Sequence, residues 1–95
     1  MVLPTAPKIE AQLYRNPQVF EAAVIGRPHD VLGEVPVAYV SLRAGATVTA
    51  AELLDGLRGK LAKVKVPVDL ILLDEVPKNP VGKIDKPTLR QRDRA

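Results

Sequence analysis

The sequence predicts a small α+β domain: a three-stranded sheet with helices packed on it, in the order α-β-β-α-β-turn-α. Two apolar runs, Val19 to Gly26 and Val35 to Leu42, are rich in strand formers. Between the second run and a third, Leu70-Ile71-Leu72-Leu73, leucines recur every four residues. Strands that are few and interleaved with helices argue for an α+β layer rather than a bundle or a barrel.

Pro4, Pro7 and the lack of any periodic pattern mark residues 1–7 as a flexible N-terminal lead-in. Residues 8–95 form the single domain that 95 residues have room for. From Pro7, the segment PKIEAQLYRN predicts a short helix. Proline suits a first turn, Ile9 and Leu13 share a face, and Asn16-Pro17 ends it. Val19 to Gly26 is the first strand, and Gly26-Arg27-Pro28-His29-Asp30 reads as a loop of turn residues. Val35 to Leu42 is apolar on both faces, with Val35, Val37 and Tyr39 on one and Ala38, Val40 and Leu42 on the other. That pattern predicts a strand covered from both sides.

Thr49-Ala50-Ala51-Glu52 is a capping box that opens a helix carrying Leu53, Leu54, Leu57 and Leu61. Lys60, Lys63 and Lys65 fall at its C-terminal end, where the helix dipole favours cations. Leu70 to Leu73 is expected as a short buried strand. Asp85 is expected to cap a last helix, with Pro87 in its first turn and Leu89 facing inward.

Composition removes several chemistries. There is no cysteine, hence no disulfide framework and no thiolate metal site. His29 is the one imidazole, so Ser-His-Asp catalysis and zinc ligation have no residue set here; no metal ligands are expected, and His29 is read as a turn residue without a role. No stretch reaches the ~18 apolar residues of a membrane span, and the N-terminus lacks a signal-peptide core. A cytoplasmic protein with no membrane partner is expected. The net charge is +3, and the excess sits late, in Lys83, Lys86, Arg90, Arg92 and Arg94 against Asp85 and Asp93. Such a cluster is able to meet phosphates, or is a solvated C-terminal helix.

Lys83 is the candidate for chemistry. Gly82 permits a positive φ beside it and Pro80 stiffens the turn, so Asn79, Pro80 and Gly82 are expected to hold the lysine at a loop tip. A lysine ammonium is a compact charge on a long stem, suited to neutralising phosphate or carboxylate charge in a cleft. A nucleotide P-loop is excluded, since Pro77 and Ile84 stand where that motif needs Gly and Ser or Thr.

The stretch Pro77-Lys78-Asn79-Pro80-Val81-Gly82-Lys83-Ile84-Asp85, followed by Leu89-Arg90, resembles the final signature of the adenylate-forming superfamily: acyl-CoA synthetases, luciferases and nonribosomal peptide adenylation domains. Upstream, Ile9-Glu10, Asn16-Pro17-Gln18-Val19, Ala22-Ala23-Val24-Ile25-Gly26, Pro28-His29-Asp30, Gly33-Glu34, Leu42-Arg43-Ala44-Gly45 and Lys65-Val66-Pro67 follow that family's C-terminal subdomain in order. The resemblance covers residues 8 to 92.

It implies the lid of an ATP-dependent ligase that joins a small carboxylate to AMP, then passes the acyl group to coenzyme A or to the phosphopantetheine thiol of a carrier protein. Lys83 would be the catalytic lysine of the adenylation step, and Lys65 and Lys78 would contact the thiol substrate or the nucleotide. ATP, AMP and Mg would be held mainly by a large N-terminal adenylation domain, in the same or a separate chain. Alone, the 95 residues are expected to be inactive. Val64, Val66, Val68 and Leu32 stand where some relatives carry aromatic or basic residues around coenzyme A's nucleotide, which leaves the identity of the thiol open.

Two other readings stay beside this one. A stand-alone adaptor could keep the lid fold and dock on a protein. A nucleic-acid module would draw on Gly56-Leu57-Arg58-Gly59-Lys60, a G-x-x-G pattern, but Tyr14, Phe20 and Tyr39 are the only aromatics available for stacking.

Overall fold

The computed structural model describes residues 5–62 and 65–95; the N-terminal Met1 to Pro4 of the expected lead-in, and Lys63 and Val64, lie outside them. The chain forms helix α1 (Ala6–Tyr14), strands β1 (Val19–His29) and β2 (Gly33–Leu42), helix α2 (Ala50–Arg58), strand β3 (Asp69–Leu73) and helix α3 (Lys86–Arg94). The sheet order is β1-β2-β3, with β1 antiparallel and β3 parallel to the central β2.

Helix α1 begins at Ala6, inside the expected lead-in, with Pro7 in its first turn and Ala6 fully buried. It stops where Asn16 turns the chain, its side-chain oxygen accepting from the Gln18 amide at 2.9 Å. The helix lies along the outer edge of β1 and closes it. The Tyr14 hydroxyl accepts from the Ala22 amide at 3.0 Å, and Glu10 Oε2 accepts from the Val24 amide at 2.8 Å. An open strand edge is thereby hydrogen-bonded by side chains instead of left to recruit another chain.

Strand β1 runs three residues past its expected end. Gly26, Arg27, Pro28 and His29 pair with Pro36, Val35, Glu34 and Gly33, so the expected loop is strand and the turn shrinks to Asp30-Val31-Leu32. Pro28 is tolerated because the Ala22 and Val24 amides, in phase with it, point away from β2; its missing N–H removes no ladder bond. The His29 Nδ1 accepts from the amides of Val31 and Leu32, at 3.1 and 3.0 Å, and so closes the turn.

Strand β2 is covered on both faces, as its pattern predicts. Ala22, Val24, Ala38, Val40 and Leu70 pack with Ile9, Leu13, Leu53 and Leu57 of α1 and α2. On the other face, Ala23, Ile25, Val37 and Tyr39 pack with Val76 and Leu89. The capping box forms as expected, Thr49 Oγ1 accepting from Glu52 and Glu52 from Thr49. Helix α2, however, ends at Arg58 with Gly59 as its cap. Leu61 therefore lies beyond the helix, and so does Lys60, whose amide donates to the Leu57 carbonyl at 3.0 Å. Two glycines in one turn weaken it enough to stop there. Strand β3 is an edge strand and not a fully buried one, since Leu70 is covered while Leu72, on the same face, is left exposed. No helix among the described residues is long and apolar enough to cross a membrane.

Candidate functional site

After β3 the chain returns along the α3 face and folds into a tight hairpin. Lys78 and Ile84 form an antiparallel bridge at its base. Inside it, the Asn79 amide donates to the Lys83 carbonyl at 2.7 Å, and the Gly82 amide donates to the Asn79 carbonyl at 2.9 Å. The Asn79 side-chain oxygen accepts from the amides of Val81 and Lys83, at 3.1 and 3.0 Å. Gly82 takes a φ of 85°, a region that side chains resist, so glycine is required for this closure. Below the bridge the Asp85 amide donates to Pro77, and Asp85 then caps α3 through Thr88. Asn79, Pro80 and Gly82 are thus brought together around Lys83.

Lys83 itself is exposed, and its ammonium has no carboxylate partner within ion-pair distance among the described residues. Its neighbour in sequence pattern behaves differently. Lys78, expected as a contact for thiol or nucleotide, turns inward and pairs with Glu21 of β1 and, at 3.5 Å, with Glu75. Hydrogen bonding to Glu21 outweighs the cost of desolvating it and raises its pKa. Lys65 sits half-buried in a short turn ahead of the buried Pro67. Among the described residues no side-chain hydrogen bond or ion pair joins Lys65 to the Lys83 hairpin.

The late basic cluster divides in the same way. Lys86 pairs with Glu10 at 2.9 Å, tying α3 to α1, while Arg92 and Arg94 extend from the last turn of α3, where the dipole favours them. Gly56 lies inside α2 and Gly59 caps it, so the G-x-x-G pattern is helical here and offers no backbone clamp between helices. Among the described residues no three acidic or imidazole side chains converge into a metal cluster.

Sequence reasoning missed the partners beneath the hairpin. Glu21 is 7% exposed; its Oε1 accepts from Ser41 Oγ at 2.8 Å and, at 3.4 Å, from the Val76 amide, while Oε2 holds Lys78. Burial would raise its pKa, but the hydrogen bonds from Lys78, Ser41 and Val76, with the Lys78 charge, prevail and hold it below the ordinary carboxylate value. A signal was present: in Val19 to Gly26 the period-two pattern puts Glu21 on one face with Ala23 and Ile25, an acid in an apolar row.

With that geometry in place, comparison with known proteins is specific. The model of the AMP-binding enzyme C-terminal domain matches residues 8–83. The chain is 42% identical over 88 residues to "Probable acyl-activating enzyme 4" of Arabidopsis thaliana, covering 92% of this chain and 16% of that protein. It is 39% identical over 89 residues to a 2-methylpropanoate–CoA ligase of Humulus lupulus, with 92% and 16% covered. Among solved structures, ATP-bound MatB from Rhodopseudomonas palustris superposes with a TM-score of 0.85 at 41% identity, over 92% of this chain and 17% of that one. The chain therefore spans about a sixth of the length of the curated relatives it matches.

Proposed function

The chain belongs to the family of AMP-binding enzyme C-terminal domains, and from that premise we propose that it is the lid of an ATP-dependent acyl-activating ligase, with Lys83 as the side chain it delivers to the reaction. One observation carries the reading: the Lys83 ammonium is exposed and, among the described residues, has no ion-pair partner at the end of a closely hydrogen-bonded hairpin, whereas the adjacent Lys78 and Lys86 are both paired. A charge held in place at the end of a stiff turn is of use when a second surface closes over it. The share of the relatives' length left uncovered supplies room for such a surface, a large N-terminal adenylation domain.

In the first half-reaction a carboxylate oxygen attacks the α-phosphorus of ATP, the bond to pyrophosphate breaks, and an acyl-adenylate forms. Both reactants are anionic. Lys83, placed between them, lowers their repulsion and stabilises the charge that builds on the phosphoryl oxygens. Mg, held by the partner domain, would neutralise the leaving pyrophosphate. In the second half-reaction a thiol attacks the acyl carbon and AMP leaves. Rotation of the lid withdraws Lys83 and presents another face to the thiol, so that one cleft serves two reactions. The ligase name carried by the Humulus lupulus relative favours coenzyme A as that thiol, with a carrier's pantetheine as the alternative.

The test is Lys83→Ala in the assembled enzyme, this chain joined to its adenylation domain. Carboxylate-dependent ATP–pyrophosphate exchange is expected to fall by roughly 10²–10³-fold, the usual effect of removing one preorganised charge-stabilising group. Thioester formation from preformed acyl-adenylate is expected to persist. Equal loss in both half-reactions, each measured alone, would contradict the assignment.

A further inference from the structure

Glu21 lies in β1, on the α3 face of the sheet, and makes no contact with solvent-exposed Lys83; yet it touches the Lys83 hairpin twice. Its Oε1 receives the amide of Val76, the fully buried residue from which the hairpin departs, and its Oε2 receives the ammonium of Lys78. Lys78 is the bridge partner of Ile84, and the next residue, Asn79, makes four of the hairpin's hydrogen bonds, two of them directly to Lys83. Ser41, opposite Glu21 in the β1–β2 register, donates its hydroxyl to the carboxylate and fixes its rotamer. The chain of contacts is therefore continuous: β2 hydroxyl, β1 carboxylate, Lys78, Asn79, Lys83.

The Glu21 carboxylate is buried but the Lys78 side chain is 31% exposed, so the pair is a weak source of net stability: desolvation of the acid and screening by water offset most of the attraction, and an apolar pair of similar volume would hold the hairpin down as well. What the charged arrangement adds is direction. A carboxylate with one oxygen on Ser41 and Val76 and the other on Lys78 leaves the hairpin one position, where apolar packing would allow it to slide. It also removes Lys78 as a rival cation beside Lys83.

We propose that Glu21 is a positioning residue for Lys83, setting through Lys78 and the Val76 amide where the hairpin tip stands relative to the sheet. This rests on the adenylation role given to Lys83. A displacement of about 1 Å in a group that must meet a reacting centre is able to cost about 10²-fold in rate, so the effect should appear in turnover and not in nucleotide binding.

The experiment uses the assembled enzyme. In Glu21→Gln the amide oxygen still accepts from Ser41 and Val76, but Lys78 loses its nearer counter-charge and keeps only the exposed Glu75, at 3.5 Å. ATP–pyrophosphate exchange should lose tenfold or more in kcat with the KM for ATP within about twofold, while thioester formation from preformed adenylate stays at the wild-type rate. In the double variant E21Q/K78Q two amides can hydrogen-bond without charge, and most of the exchange activity should return. Ser41→Ala keeps the ion pair and removes only the fixing hydroxyl; a several-fold fall confined to exchange is expected, and this variant decides the matter if E21Q does not fold. Wild-type exchange in E21Q, an equal fall in both half-reactions, or wild-type exchange in S41A where E21Q is unfolded, would overturn the positioning role. The Lys83→Ala control separates the two levels: with exchange abolished in K83A and intact in E21Q, only the positioning role fails, whereas exchange intact in K83A removes the function on which it rests.

Discussion

Gly82 stands at a φ of 85° with open space where a Cβ would be, so the cost of a side chain there is purely conformational. Alanine in the left-handed region costs about 1–2 kcal/mol, and the hairpin can relieve that only by opening around Lys83. Asn79→Ala acts from the other side, removing the oxygen that gathers the Val81 and Lys83 amides. Both variants should lower the melting temperature by about 5 °C for each kcal/mol lost in a domain of this size. Both should also slow adenylation more than so small a destabilisation accounts for. A Gly82→Ala protein that melts and turns over as wild type would show that the left-handed turn is not required. At this scale the sequence was readable where one residue type has one use: glycine and asparagine around a lysine spell a tight turn. It was not readable where geometry across the sheet decides. Nothing local to Lys78 says that its ammonium points at a carboxylate 57 positions earlier in the chain, and Glu21 stands out in the sequence only as an acid in an apolar row, its partners appearing once β1 and β2 are paired.

Helix α3 shows the same division among elements. Its cap, its proline and its inward Leu89 were all legible, and they form as expected. Its attachment was not. Asp93, with a side chain 4% exposed, accepts the Arg27 guanidinium in a fork, at 2.9 Å from Nε and 2.7 Å from Nη2, and the Tyr39 hydroxyl at 2.9 Å. Arg27 was read as part of a loop, and it reaches α3 only because β1 stays extended through His29, paired to β2. The strand outlasted its expected end because the partner strand supplied hydrogen bonds that propensity does not count. Asp93→Ala leaves the Tyr39 hydroxyl without its acceptor and the partly covered Arg27 guanidinium with only Asp69, at 3.5 Å. Since the Arg27 side chain is 35% exposed and water compensates much of the loss, the cost should be about 1–2 kcal/mol, below the value for a fully buried pair. Denaturant unfolding of Asp93→Ala checks it, and Arg27→Ala should cost at least as much, because it strips the guanidinium from a carboxylate whose side chain is only 4% exposed and also ends the 3.5 Å contact with Asp69. A smaller cost for Arg27→Ala would mean that the Tyr39 hydroxyl alone satisfies Asp93.

The whole molecule is a sheet with two cores, one under α1 and α2, the other under α3 and the Lys83 hairpin. The second is the more polar, and it is there that ionisable groups are drawn into the structure, which gives folding a predictable dependence on pH. Asp93 is held below the ordinary carboxylate range chiefly by its hydrogen bonds to Arg27, and Glu21 is held low by Lys78, Ser41 and Val76 against its own burial. A carboxylate whose folded pKa is depressed binds fewer protons folded than unfolded, so stability rises with pH through the acid range. Those two contributions are complete above the unfolded value of about 4 and drain away as the pH falls through the lower folded values. On the alkaline side the signs reverse. Burial and Asp93 push the Tyr39 hydroxyl up to about 12, and the Glu21 hydrogen bond raises Lys78. Their contributions are whole below about pH 10, the unfolded range for both groups, and are lost above it, in the case of Tyr39 between about 10 and about 12. Unfolding midpoints in urea should therefore form a plateau from about pH 5 to about pH 9 and fall on both sides. Asp93→Asn should lower the plateau and flatten the acid limb, since the proton that Asp93 resists has been removed from the balance; Tyr39→Phe should flatten the alkaline limb and leave the acid one standing. An acid limb equally steep with and without Asp93 would place the origin of acid unfolding outside the α3 clasp and return the weight to Glu21 and the hairpin it anchors.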